Sequence, residues 1–148
     1  MASFQDILTQ FRQESTTERD KGNRFERLMQ LYLRTEPFYA SRFKNVWLWE
    51  EFPFRKDLGG QDTGIDLVAQ TTHGAYWAVQ CKCYQESATI NKAEVDSFLT
   101  TAGRSFTNES GAITRFEHCL WISTTNKWGS NAEEAIRNHT PAVSRISL

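Results

Sequence analysis

The sequence is poor in cysteine and proline, has almost no net charge, and holds no long apolar run. Its three cysteines, Cys81, Cys83 and Cys119, are an odd number, and the first fifteen residues carry acids early and lack the apolar core of an export signal. A disulfide framework belongs to exported chains and is not expected here. Cys81 and Cys83 are one residue apart, outside the usual spacing of zinc ligands, and no paired histidines follow. Small buried thiols are the expected role, with a cysteine metal or redox module as the rival. Three prolines, with no Pro/Gly-rich tract and no repeat, leave no linker, so one domain is expected. No stretch approaches the roughly 20 apolar residues of a membrane helix. No membrane partner is therefore expected, and the expected location is the cytoplasm. Seventeen basic residues against eighteen acidic ones leave a formal charge of −1. Charge alone would not hold such a chain on nucleic acid. Carboxylates that bind a metal beside basic residues that line a groove remain compatible with it.

What is present is a core: 39% of residues are hydrophobic and 13% aromatic, a globular composition. Phe4, Ile7, Leu8 and Phe11 have helical spacing, which predicts an amphipathic helix over residues 4 to 15. Phe25, Leu28, Met29 and Tyr32 predict a second helix over 21 to 34, stopped before Pro37. Val46 to Phe52 reads as a strand. After the glycine-rich turn of residues 58 to 64 come strands at Ile65–Thr71 and Ala75–Tyr84, joined by the short turn Thr72-His73-Gly74 into a hairpin. Asn91 with Glu94 predicts a capped helix to about residue 104. His118–Thr124 reads as a buried strand. Ser130 with Glu133 predicts a capped helix to about residue 138, and Val143–Leu148 reads as a strand start with no partner. The order predicts an α/β fold, a three-layer α/β/α arrangement on a mixed sheet.

The hairpin carries the chemistry. A three-residue turn centred on His73 puts Asp66 across from Gln80. Side chains alternate along a strand, so Gln80 and Lys82 share one face while Cys81 and Cys83 take the other. Cross-strand partners have Cβ atoms about 5 Å apart, so Asp66, Gln80 and Lys82 converge. This set suits metal-assisted phosphodiester hydrolysis. Mg²⁺ takes oxygen ligands; Asp66 offers a carboxylate, Gln80 an amide oxygen and Cys81 its backbone carbonyl. Lys82 would orient water or stabilise charge on the phosphoryl oxygens. One carboxylate is light for Mg²⁺, and Glu26, beside the apolar stripe of the second helix, is the candidate for a further acid. From pattern alone the three hairpin residues also fit a solvated sheet face. Glu26, between Arg24 and Arg27, also fits an exposed helix acid. Asp62 fits a turn residue close enough to Asp66 to assist.

At these residues the sequence resembles a known family. Gly64-Ile65-Asp66 followed by Val79-Gln80-Cys81-Lys82 resembles the G-x-D … Q-x-K signature of Mrr-like nucleases, the branch of the PD-(D/E)xK superfamily in which glutamine replaces the second acid. Asn23-Arg24-Phe25-Glu26-Arg27-Leu28 resembles that family's early helix with its glutamate. Leu120-Trp121-Ile122-Ser123-Thr124-Thr125 and the helix after it resemble its later strand and helix. The superfamily's proline before the aspartate is absent here, as it commonly is in Mrr-like members. Glu18-Arg19-Asp20-Lys21-Gly22, Val46-Trp47-Leu48-Trp49-Glu50-Glu51-Phe52, Asp62-Thr63-Gly64-Ile65-Asp66-Leu67-Val68 and Trp121-Ile122-Ser123-Thr124-Thr125-Asn126 are similar to the N-terminal nuclease domain of helicase-containing restriction proteins, the single-polypeptide type ISP restriction-modification enzymes among them.

The resemblance implies a restriction-endonuclease-like fold and an active-site set of Asp66, Gln80 and Lys82, with Glu26 as an added metal or water contact. It implies Mg²⁺ as cofactor, with Mn²⁺ as a substitute, and double-stranded DNA as substrate. The implied setting is a bacterial polypeptide in which a helicase-like ATPase, a methyltransferase and a target-recognition domain follow the nuclease. ATP would act only through that separate motor, since this chain has no G-x-x-x-x-G-K-[ST] loop. The end at Leu148, inside a strand-like run, reads as that of an excised domain. Phosphate contacts are expected from Thr124, Asn126, Lys127 and Ser130 before one helix and from Lys92 at the start of another. Trp128 is expected to pack against the domain. Nothing resembles a base-reading helix-turn-helix or zinc finger, so cleavage with little sequence preference is expected. The rivals are a Holliday-junction resolvase-like nuclease and a catalytically silent DNA-docking module.

Overall fold

A computed structural model describes residues 17–59, 64–84 and 88–148, with isolated positions before residue 17. Asp62 lies outside the described residues, as does most of the helix expected over 4 to 15.

Helix α1 spans Glu18–Thr35. It starts three residues before the expected position because Thr17 caps it, its hydroxyl accepting from the Asp20 N–H at 2.9 Å. Phe25, Met29 and Leu33, four apart, form its buried stripe. Glu36 leaves the helical conformation, and Pro37 opens the one-turn helix α2, Pro37–Ala40.

Strand β1 is Phe43–Leu48, not 46 to 52. The chain leaves the strand at Trp49 for a 3₁₀ turn, Trp49–Glu51. The cause is Glu51, whose carboxylate accepts the Leu48 N–H (2.9 Å) and the buried Gln30 amide (2.9 Å) and so folds the chain back. Gln30 and Arg34 also donate to the Val46 carbonyl, at 2.9 and 2.7 Å, which covers polar backbone that an edge strand would otherwise expose.

The remaining elements are β2 (Leu67–Thr71), β3 (Tyr76–Lys82), α3 (Lys92–Ala102), β4 (Ser105–Thr107), β5 (Ile113–Arg115), β6 (His118–Ser123), α4 (Ser130–Arg137) and β7 (Val143–Ser147). The main sheet runs β1-β2-β3-β6-β7. Its first two junctions are antiparallel and its last two parallel, so the sheet is mixed as expected. Strand β7 does have a partner: it pairs with β6 from Cys119↔Val143 to Ser123↔Ser147. The small β4–β5 hairpin was not expected from the sequence.

Asn91 caps α3 as expected, accepting from the Glu94 N–H at 3.0 Å. Ser130 does not cap α4. Gly129 holds the cap position without a side-chain bond, and Ser130 is already the first helical residue.

Two apolar layers enclose the sheet. On one face α1 packs Phe25, Met29 and Leu33 against Leu48, Leu67, Val79, Cys81 and Ile122. On the other, α3 and α4 pack Val95, Phe98 and Ile136 against Val68, Ala78, Cys119 and Trp121. This is the α/β/α sandwich, with Cys81 and Cys119 on opposite sides of it. No helix among the described residues is long and apolar enough to cross a membrane.

Candidate active site

The site forms where β2 stops and β3 runs on. The hairpin register matches the sequence arithmetic from Gln70↔Tyr76 to Leu67↔Val79. Asp66 stands one step outside that ladder. Its N–H donates to the Val79 carbonyl and its own carbonyl accepts from Trp49 N–H, both at 2.9 Å. Its carboxylate then occupies the place of the missing strand, accepting the Cys81 N–H at 2.9 Å. In a strand a residue's N–H and carbonyl point to the same edge. The Cys81 carbonyl therefore points into the same notch, while its thiol lies in the α1-side core.

Gln80, 4% exposed, reaches the notch from the next position. Its amide is satisfied with Nε2 donating to the Gly64 carbonyl and to Asp66 Oδ2 (3.1 Å). Gly64 is fixed there by its backbone: φ is +80°, and an added Cβ would lie 3.0 Å from the Ser97 and Phe98 backbone of α3. Glu26 comes from α1, the opposite layer, and hydrogen-bonds with Asp66 across the end of the sheet. Lys82 closes the group. Glu26, Asp66, Gln80 and Lys82 line one open cleft of about 350 Å³ together with Trp49, Glu50, Gly64 and Ile65.

The electrostatics of the cleft are strained. Burial pushes the Glu26 carboxyl up to about 8, helped by the adjacent Asp66, their hydrogen bond and Glu50, and opposed by Lys82. Burial also raises Asp66, against the Cys81 N–H, the Glu26 hydrogen bond and Lys82. The pair thus favours holding one proton, on Glu26, because two adjacent carboxylates cannot both ionise cheaply. A divalent cation would remove that conflict. The available donors are carboxylate, amide and carbonyl oxygens, the set that suits a hard ion such as Mg²⁺. Among the described residues no three His, Cys, Asp or Glu side chains form a metal-holding group by themselves, so the amide and carbonyl oxygens are needed.

Glu50 was not singled out from the sequence, because the run from Val46 to Phe52 reads as a strand and hides the turn that aims it. The cysteines are free thiols. Burial pushes Cys119 up to about 12 and raises Cys81 as well, which suits inert core thiols.

The expected phosphate contacts fall into two groups. Thr124 follows β6 beside the end of β3, its N–H donating to the Lys82 carbonyl at 3.2 Å. Its hydroxyl is occupied: it accepts the Tyr84 N–H at 2.6 Å and faces the Tyr84 carbonyl at 3.1 Å. Lys92 pairs with Asp96 one turn along α3. Asn126, Lys127 and Ser130 are exposed. Trp128 packs on Trp121 at 5.4 Å and beneath the Arg145 guanidinium, as expected of a structural ring.

A family model described as restriction endonuclease, Mrr_cat_2, matches residues 34–148. The chain belongs to this restriction endonuclease family. A search of solved structures adds two neighbours. The ATP-dependent type ISP restriction-modification enzyme LlaBIII, bound to DNA, superposes with a TM-score of 0.73 at 30% identity over 100% of this chain. The MspJI restriction endonuclease, in complex with a 27-mer oligonucleotide, superposes with a TM-score of 0.51 at 16% identity over 99% of this chain, a likeness of fold. The chain spans 8% of the LlaBIII chain and 30% of the MspJI chain. No curated protein sequence matches it.

Proposed function

We propose that this chain is a Mg²⁺-dependent DNA-nicking domain with little sequence preference, the nuclease part of an ATP-dependent restriction-modification polypeptide. The supporting observation is the strained Glu26–Asp66 pair at the notch, which faces Gln80 and Lys82 in the same cleft. Asp66, the Cys81 carbonyl and, after its amide turns over, the Gln80 oxygen would hold the ion, with Glu26 as the fourth contact. Mn²⁺ would substitute. The bound ion supplies Lewis acidity to the scissile phosphate and to the attacking water. Lys82 offers a positive charge to the phosphoryl oxygens as the transition state forms. Burial of Gln80 and the backbone bonds to Asp66 keep these groups in place without reorganisation.

One cleft hydrolyses one strand of duplex DNA, so a double-strand break takes two copies or repeated nicking. Asn126 and Lys127 would meet the phosphate backbone, which positions DNA but does not read it. The motor, methyltransferase and target-recognition functions belong to other parts of the parent polypeptide. A net charge of −1 supports that division, because it gives this part little attraction for DNA.

Plasmid nicking with Mg²⁺ or Mn²⁺ tests the reading, using wild type and Asp66→Ala both as this domain and within the full-length polypeptide. Nicking by wild type and its loss in Asp66→Ala are expected. Equal nicking by both proteins, or none by either in the full-length setting, refutes it.

A further inference from the structure

We infer that Glu50 is an outer-sphere acid of this cation site, acting through water as a positioning residue. The inference rests on the metal reading above and extends it to a residue outside the Asp66, Gln80, Lys82 and Glu26 set. Glu50 sits in the middle of the Trp49–Glu51 turn, and the first N–H of that turn is bonded to the Asp66 carbonyl. Its placement is thus tied to the same residue that carries the central carboxylate. It lines the cleft with Glu26, Asp66, Gln80 and Lys82.

Its neighbour Glu51 is used up in structure, bonded to the Leu48 N–H and to Gln30. Glu50 is exposed, and among the described residues no hydrogen bond or ion pair holds it. A third carboxyl thus faces the cleft of Glu26 and Asp66, in which Lys82 is the one basic residue among the described lining. The cleft is not marked by acids alone, since Gln80 is buried with its amide turned to Asp66 and the Cys81 backbone faces the same notch. Among the described residues Glu50 forms no three-acid metal-holding group with Glu26 and Asp66. An exposed place on the cleft lining suits an acceptor for the waters that Mg²⁺ keeps when few protein ligands bind it directly.

The test measures Mn²⁺ affinity by electron paramagnetic resonance, with Mg²⁺ competition, and thermal midpoints with and without metal. The proteins are wild type, Glu50→Gln, Glu50→Asp and Asp66→Ala. For Glu50→Gln, Mn²⁺ binding about tenfold weaker is expected, the low end for an outer-shell partner. Its metal-free midpoint should rise, because a repelling charge is gone. Glu50→Asp should recover most of the affinity. Unchanged Mn²⁺ affinity in Glu50→Gln, or a lower metal-free midpoint, overturns the assignment of Glu50. Wild-type Mn²⁺ affinity in Asp66→Ala would instead overturn the metal site itself, which keeps the two failures apart.

Discussion

Replacing Glu26 by glutamine should stabilise the metal-free protein at high pH. A glutamine keeps the shape and can still donate to Asp66, but it cannot ionise. Glu26 has its carboxyl raised from 4.5 to about 8 in the folded chain. A group raised in this way contributes stability that is fully present below its unfolded value and is lost as pH rises through the folded one. The loss therefore develops between pH 4.5 and about 8. Without screening it would reach about 5 kcal/mol, at about 1.4 kcal/mol per pH unit. Glu26 is only partly buried, and solvent screening reduces this to about 1–2 kcal/mol. For a chain of this size that is a midpoint difference of about 3–6 °C.

Urea unfolding of wild type and Glu26→Gln in EDTA, at pH 5 and pH 9, isolates the paired carboxyls, because groups remote from Glu26 and Asp66 cancel in the difference. The two proteins should be nearly equal at pH 5, and the variant more stable at pH 9. Saturating Mg²⁺ at pH 9 should reverse the order, since the wild type then has both carboxylates to offer. A gap that does not change with pH, or a variant that is less stable at pH 9, refutes the account of the paired carboxyls.

Gly64→Ala should cost about 2–3 kcal/mol, from a side chain forced into positive φ and against the α3 backbone. Urea unfolding reads the loss. Thr124→Val should cost about 1–2 kcal/mol through its lost bonds to the Tyr84 backbone. It should leave the salt dependence of DNA binding unchanged, whereas Lys127→Ala should lower that slope by about one. Fluorescence anisotropy with a labelled duplex across a salt series separates them. Cys81→Ala should leave Mn²⁺ affinity at the wild-type level, because the carbonyl and not the thiol faces the notch.

The parts of this site that could be read in the sequence are those set by short-range geometry. Thr72, His73 and Gly74 allow only a tight turn, and from that turn the pairing of β2 with β3 follows residue by residue to Leu67 and Val79. The alternation that separates Gln80 and Lys82 from Cys81 is equally local. Asp66 is where local reasoning stops. Its departure from the ladder depends on Trp49, seventeen residues earlier, taking its carbonyl. The turn that carries Trp49 depends in turn on Gln30 reaching Glu51 from α1. Aromatic and β-branched residues make Val46 to Phe52 look like a strand, and only that long-range clamp ends it at Leu48. Glu50 was missed for this reason. The same limit explains Thr124: its hydroxyl reads as a phosphate ligand until the Tyr84 backbone, forty residues away in sequence, is seen to occupy it. The β4–β5 hairpin has three-residue strands and exposed polar positions, too short to show a period.

The glutamine at position 80 has a physical rationale in this arrangement. Position 80 is buried and touches Asp66. A glutamate there would be a further carboxyl in a place where Glu26 and Asp66 already contend for a single proton. An amide avoids that charge. Without a cation its nitrogen satisfies Asp66 and Gly64; in the proposed metal site, rotation about the last side-chain bond would present its oxygen instead. The chain gives up one ligand charge and in exchange keeps a metal-free fold that is not opened by its own acids. In the proposed metal site the acid that would otherwise occupy position 80 would be supplied from farther away, by Glu26 across the sheet and Glu50 in the same cleft. Glu26 avoids the same conflict by keeping its proton, and Glu50 is exposed, where water screens a negative charge.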